Sequence, residues 1–298
     1  MNISGLGEFG LIDRFKKSIR LDTSVIKGTG DDCAVIRSSG AKFMLFTCDM
    51  LVEGVDFLKK TDPYLIGRKA IAVSLSDIAA CAGIPRYCLV SLGLPRGTKV
   101  SFTDRLFKGM RDISSKFGVN IVGGDLSRSA KVTIDVSMIG FVEKRNLVLR
   151  SNACKGDIIF TSGALGGSLK GKHLKFTPRV GEARFLARKF GLNSMTDISD
   201  GLIQDLGHIL EESLAGAVIY QDLIPLSASA GNIKNALYDG EDFELLFTLP
   251  LAKAKRLIRE NARGFHAIGQ IVDKKHGLLF VDNRGRIRKI SGGGFRHF

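Results

Sequence analysis

A chain of 298 residues with 44% hydrophobic and 25% charged side chains has the composition of an ordinary globular protein, long enough for two cores of domain size. No apolar run approaches the ~18 residues of a membrane span, so a membrane protein is not expected. The formal net charge of +14 attracts anions, but its basic residues are spread along the chain without zinc-finger spacing or an aromatic-basic RNA signature, which argues against a nucleic-acid partner.

In chain order, Phe9, Ile12, Phe15 and Ile19 recur at helical spacing over 8–19. Glu8, Asp13, Arg14, Lys16 and Lys17 break any apolar core there, so the segment does not read as a secretory leader and a cytoplasmic location is expected. The apolar run 43–47 reads as a strand ending at Cys48-Asp49. A helix over 63–82, a strand at 87–92, a helix over 102–117 and strands at 119–122 and 132–142 follow. After residue 150 a second α+β unit begins. It has a strand at 157–162, a Gly-rich loop at 164–171, helices over 182–190, 201–213 and 251–261, and strands at 217–220, 243–249, 266–272 and 278–281. Two domains are expected, 1–149 and 150–298.

Five segments place carboxylates beside glycines or at strand ends: Asp31-Asp32, Asp49, Asp77, Gly124-Asp125, and Asp197 with Asp200. An Asp beside Gly is usually a turn former, and an Asp opening a helix, as Asp200 is expected to do, is usually a cap. Asp77 stands apart, because Ala72, Val73, Leu75, Ile78, Ala79 and Ala80 surround it with apolar neighbours. A carboxylate there requires a cation or a hydrogen-bond partner. Scattered aspartates suit magnesium, which takes oxygen ligands together with water and substrate phosphates. Arg128 and Arg150 are candidate helpers for neutralising phosphate charge.

Competing chemistries are poorly represented. The histidines, His173, His208, His266, His276 and His297, have no spacing that suggests a metal pair or triad, and no GxSxG elbow occurs. Cys33, Cys48, Cys81, Cys88 and Cys154 are odd in number and lack a CxxC pair, so they are expected to be reduced and mostly buried. The segment from Gly166 to His173 nearly spells a P-loop, but His173 stands where a magnesium-binding hydroxyl belongs, and Pro178 interrupts the helix that should follow.

Taken in order, GTGDDCAVI (28–36), TCDMLVEGVDF (47–57), GRKAIAVSLSDIAACAGIP (67–85), GGDLSRS (123–129), DISDGLIQDLGHI (197–209), GEDFELLF (240–247) and the terminal HF resemble the thiamine-monophosphate kinase family. The resemblance implies a two-domain α/β (α+β) fold shared with aminoimidazole ribonucleotide synthetase, selenophosphate synthetase and a hydrogenase maturation protein. In it an N-terminal mixed sheet forms a barrel on homodimerisation, beside a C-terminal α+β domain. It implies transfer of the γ-phosphate of the co-substrate ATP to thiamine monophosphate. It also implies that Asp32, Thr47, Cys48 (through its carbonyl), Asp49, Asp77, Asp125, Asp197 and Asp200 hold magnesium, and that Gly124, Asp125, Arg150 and Ser199 face ATP. Glu241 falls on the acceptor side. No general base is implied, since a phosphate acceptor with a second pKa of ~6 is already mostly ionised at neutral pH.

The chain departs from the family in three places. Asp56 replaces a common His, placing an anion where the resemblance implies an acceptor contact. Gly292-Gly293-Gly294 stands near a usual C-terminal aromatic, leaving Phe295 to substitute. The 167–178 segment is shorter than usual. A related ATP-using enzyme with another small phosphate or carboxylate acceptor is the alternative that these departures leave open. A basic nucleic-acid-binding protein and a non-catalytic nucleotide-binding subunit are others.

Overall fold

The computed structural model describes residues 2–260 and 264–295. Helix α1 (Ile3–Lys16) leads into strands β1 (Val25–Lys27), β2 (Ala34–Arg37) and β3 (Lys42–Val52), followed by helix α2 (Pro63–Ala80), β4 (Ile84–Leu94), α3 (Val100–Phe117), β5 (Asn120–Arg128) and β6 (Thr133–Glu143). The six strands form one mixed sheet in the order β1-β2-β3-β6-β4-β5, in which only β4 and β5 pair in parallel. The sheet is open, with β1 and β5 at its edges, so the expected barrel is not closed within one chain.

The second half contains β7 (Ile158–Thr161), α4 (Lys172–Lys175), α5 (Val180–Phe190), β8 (Ser194–Asp197), α6 (Leu202–Glu212), β9 (Ala215–Tyr220), α7 (Ile233–Tyr238), β10 (Leu245–Leu249), α8 (Leu251–Arg259), β11 (His266–Asp273), β12 (Leu278–Val281) and β13 (Ile287–Lys289). Its seven-stranded sheet runs β13-β12-β9-β11-β7-β10-β8. The terminal HF motif, including His297, and the end of the helix expected over 251–261 lie outside the described residues.

Helix α2 occupies the centre of the molecule. Asp62 caps it by accepting the Tyr64 backbone N–H at 3.0 Å, and Pro63 at its first position leaves no unsatisfied N–H. Its apolar residues pack on β3 and β6 of the first sheet, while its other flank meets α5 and β8 of the second half. Against α3 the crossing is close: a Cβ on Gly67 would lie 2.0 Å from the Leu106 carbonyl oxygen, and one on Gly109 would lie 2.0 Å from that of Tyr64. Both glycines are required by proximity.

Two strands are longer than the sequence pattern suggests, and the difference moves functional candidates. β3 continues to Val52, so Thr47, Cys48 and Asp49 lie inside a strand and not at its end. Its period of two turns Leu45, Thr47, Asp49 and Leu51 towards α2 and leaves Phe46, Cys48 and Met50 on the outer face. β5 likewise runs straight through Gly123-Gly124-Asp125, which was expected to be a turn. A Cβ on Gly124 would meet the Val90 carbonyl oxygen at 1.7 Å, so this glycine is what lets β5 approach β4. β1, β2, β8, β13, α4 and α7 were not anticipated. β8 is buried at every position although it reads Ser-Met-Thr-Asp, a sequence with neither apolar alternation nor an apolar run.

Candidate active site

Four elements deliver acidic side chains to one point between the two sheets. The 30–33 loop brings Asp31 and Asp32, β3 brings Asp49, α2 brings Asp77, and β8 with the loop after it brings Asp197, Ser199 and Asp200. Carboxylate oxygens of Asp32, Asp77 and Asp197 lie within 4.8 Å of one another. Around them is a shell of hydroxyl and guanidinium donors. Thr47 Oγ1 donates to Asp77, Ser76 Oγ to Asp197, and Ser74 Oγ to Asp49 at 2.6 Å. Thr196 Oγ1 donates to Asp32 Oδ1 at 2.9 Å, and Arg150 Nη2 reaches the same oxygen at 2.7 Å.

Burial governs the electrostatics. It pushes the Asp77 carboxyl well above its ordinary range, and the charges of Asp49, Asp197 and Asp32 add to the rise. Burial raises Asp197 to about 7, helped by Asp32, and raises Asp49 to about 6 against the opposing Ser74 hydrogen bond. Asp31 rises to about 7 through burial and the neighbouring Asp32. For Arg150, burial opposes the charge but Asp32 more than offsets it, so its pKa moves up. Carboxylates this close repel one another when ionised, and a cation relieves that repulsion.

The residues fit a hard divalent cation. Asp32 Oδ2 is a buried oxygen with no hydrogen-bond partner among the described residues, and the neighbouring donor atoms are carboxylate oxygens, the set that magnesium prefers.

This cluster opens on a cavity of about 280 Å³ whose lining also includes Asp56, Glu241, Phe243 and Phe295. Asp56 Oδ2 accepts the Val52 backbone N–H at 2.7 Å and so closes the turn that follows β3. Glu241 and Phe243 have φ of 53° and 50°, left-handed values uncommon for residues other than glycine. Their N–H groups donate to the carbonyls of Ser199 and Ile198 at 2.7 and 2.8 Å, which seats the 240–243 turn against the Asp197–Asp200 segment. Behind the wall, Lys69 donates to the Glu241 carboxylate and, at 2.8 Å, to the Asp56 carbonyl.

Some expected residues fall elsewhere. Gly124 and Asp125 are exposed on the edge strand, separated from β3 by β6 and β4, about 14 Å at the usual strand spacing. Arg128 ends that same strand, away from the cluster. Asp200 does not cap α6. Gly201 holds that position, and Asp205 accepts the N–H groups of Asp200 and Gly201 at 3.1 and 3.0 Å. The P-loop look-alike folds as a short 3-10 turn and α4, with Lys172 bound to Glu244 at 2.9 Å. Cys33, Cys81 and Cys88 are buried, whereas Cys48 and Cys154 are exposed.

Sequence reasoning missed Lys69, Ser74, Ser76, Thr196 and Asp205. Ser74 lies three residues before Asp77, on the same helical face, and Lys69 is a charge inside an apolar run. Those were the available signals. Nothing local marks Thr196 or Asp205.

Comparison with known proteins agrees with this architecture. The family model "AIR synthase related protein, N-terminal domain" matches residues 30–142, and the corresponding C-terminal domain model matches 139–282. The protein is therefore a two-domain member of the AIR-synthase-related class. A hydrogenase maturation protein, E. coli HypE, shares the fold at 18% identity, with a TM-score of 0.71 over 83% of this chain and 85% of that one. The thiamine-monophosphate kinase of Buchnera aphidicola subsp. Schizaphis graminum is 36% identical over 98% of both chains, and that of Aquifex aeolicus is 34% identical over the full length of both. The solved structure described as "AaThiL complexed with AMPPCP and TMP" superposes with a TM-score of 0.88 at 32% identity, covering 100% of this chain and 99% of that one. The chain belongs to the thiamine-monophosphate kinase family.

Proposed function

We propose that the protein transfers the γ-phosphate of ATP directly to the phosphate of thiamine monophosphate, forming thiamine diphosphate. The observation that carries this reading is the Asp32–Asp77–Asp197 cluster, with its unpartnered buried Asp32 oxygen, beside a cavity that Asp77 and Asp197 line together with Asp56, Glu241 and Phe295. Family membership supplies the acceptor.

Asp32, Asp77 and Asp197 would hold magnesium, with Asp49, Asp200, Thr47 and the Cys48 carbonyl close by. When bound, the ion neutralises charge that gathers on the transferring phosphoryl group. Arg150, pinned by Asp32 and Thr196, presents a fixed positive charge on the ATP side, to which Ser199 is also assigned. On the opposite wall, Glu241 and Phe295 orient the acceptor. Its phosphate arrives mostly ionised, so positioning takes the place of a general base.

The remaining expected ligand, Asp125, joins a site when a second copy covers the outer face of the first sheet. Support comes from that face itself, where Phe46, Met50, Tyr87, Leu89 and Val122 are all exposed. A homodimer buries this patch and brings the Gly124-Asp125 edge towards a partner. We assign dimerisation and most metal binding to residues 1–149, and the acceptor wall largely to 150–298. The cytoplasm, where ATP is held, is the compartment this reaction requires. Among the described residues, no helix is long and apolar enough to cross a membrane.

Incubation with ATP, magnesium and thiamine monophosphate, followed by chromatography for thiamine diphosphate, tests the assignment. Product is expected, with none from Asp77→Asn. A folded wild-type protein that forms no thiamine diphosphate refutes it. ADP release with another small phosphate or carboxylate would then identify the alternative acceptor.

A further inference from the structure

A lysine with no exposed surface stands behind the acceptor wall. Lys69 lies in the first half of α2 among the buried Ile66, Ala70, Ile71 and Ala72, and its own relative exposure is 0%. Its ammonium has two partners, the Glu241 carboxylate and the Asp56 carbonyl oxygen at 2.8 Å. Glu241 is 172 residues away in sequence, and Asp56 is 13. Both residues line the cavity, whereas Lys69 does not.

A buried ammonium is strongly unfavourable unless paired, so this contact is obligatory for the folded site. The segments it joins depend on it for alignment. Glu241 stands at a left-handed φ, held through its backbone by the Ser199 carbonyl and by Ser168 Oγ, which donates to the Glu241 carbonyl at 2.5 Å. Among the described residues, those contacts fix the main chain, and Lys69 fixes the carboxylate. The same ammonium ties down the turn of Asp56. Lys69 shares α2 with Asp77, so one rigid helix carries both the acceptor-wall anchor and a member of the acidic cluster.

We infer that Lys69 is a positioning residue for the phosphate acceptor, acting through Glu241 to set the acceptor's distance from the acidic cluster. This rests on the kinase reading above. Lys69 also balances the Glu241 charge in a cavity already lined by Asp49, Asp56, Asp77, Asp197, Asp200 and Asp239. Without it, a mobile, uncompensated anion faces an incoming phosphate.

Steady-state kinetics of wild type, Lys69→Met, Glu241→Gln and the double variant test this, with melting temperatures recorded alongside. Lys69→Met is expected to raise the KM for thiamine monophosphate by about tenfold, in the range that slight misplacement costs, while the KM for ATP stays within about twofold. The double variant is expected to match Glu241→Gln alone, because the two residues act as a unit. An acceptor KM unchanged in Lys69→Met, with only the melting temperature lowered, overturns the inference. Should Lys69→Met not fold, the double variant, which removes both charges, decides: an acceptor KM well above that of Glu241→Gln shows independent roles and overturns it. Lack of turnover by the wild type overturns the kinase reading itself, and is distinguished by that control.

Discussion

Replacing Asp197 with Asn should stabilise the metal-free protein, although it damages the site. The Asp197 carboxyl is raised by burial and by Asp32 from 3.8 to about 7. Such a carboxyl costs stability as pH climbs from its unfolded value to its folded one, because the unfolded chain releases the proton first; above about 7 the cost is constant. At ~1.4 kcal/mol per pH unit, the full cost at pH 8 is about 4 kcal/mol, falling below about 2 kcal/mol at pH 5. Asparagine carries no such charge, and its carbonyl oxygen can still accept from Ser76 Oγ. In a chain of this length the gain corresponds to about 6 °C in melting temperature. His208, lowered to about 4 by burial and by Arg150, also makes stability depend on pH, but it does so in both proteins and cancels in the difference. Thermal melts of wild type and variant with chelator at pH 5 and 8 measure the gap. Magnesium should narrow it at pH 8, since about 2.7 kcal/mol accrues to the wild type when the ion is at a hundred times its Kd. A variant no more stable than wild type at pH 8, or a gap that ignores pH, refutes the electrostatic account.

Ser74→Ala removes the donor to Asp49 and should weaken magnesium affinity about 10- to 100-fold, read from the metal dependence of ADP release. Phe46→Arg with Leu89→Arg places charge on the outer face of the first sheet; light scattering should show the mass halved. Arg179→Met strips Glu244 of its Nε and Nη2 contacts at 2.8 and 2.9 Å. It should destabilise the fold by about 3 kcal/mol in denaturant titration, because among the described residues a buried carboxylate is left with Lys172 alone as its charged partner.

Legibility followed physical pattern. β6, with its strict alternation of buried and half-buried residues, was visible in the sequence to within a residue or two at each end, as was α2 with its apolar run. Asp77 was legible because an anion in that run needs a partner, and Thr47 is the hydrogen-bond donor found. β8 was not, since hydrogen bonds and burial hold its polar residues and hydropathy does not reveal it. Resemblance supplied Asp125, but local sequence could not show that it lies on the far edge of a six-stranded sheet. Asp56 reads as an acceptor contact by its place in a motif, yet one of its oxygens is engaged in closing a turn.

The close crossing of α2 and α3 extends the reach of the active site to residues with no chemistry. Gly67 and Gly109 let each helix rest against the other's carbonyl oxygens at a separation no side chain tolerates. Asp77 lies ten residues beyond Gly67, close to 15 Å along a helix at ~1.5 Å per residue. A methyl group added at Gly67 would have to be relieved by pushing α2 away from α3, and a rigid rod transmits that push to the carboxylate at its other end. The tolerance of the phosphoryl-transfer geometry is therefore set in part by two absent side chains on the far side of the helix.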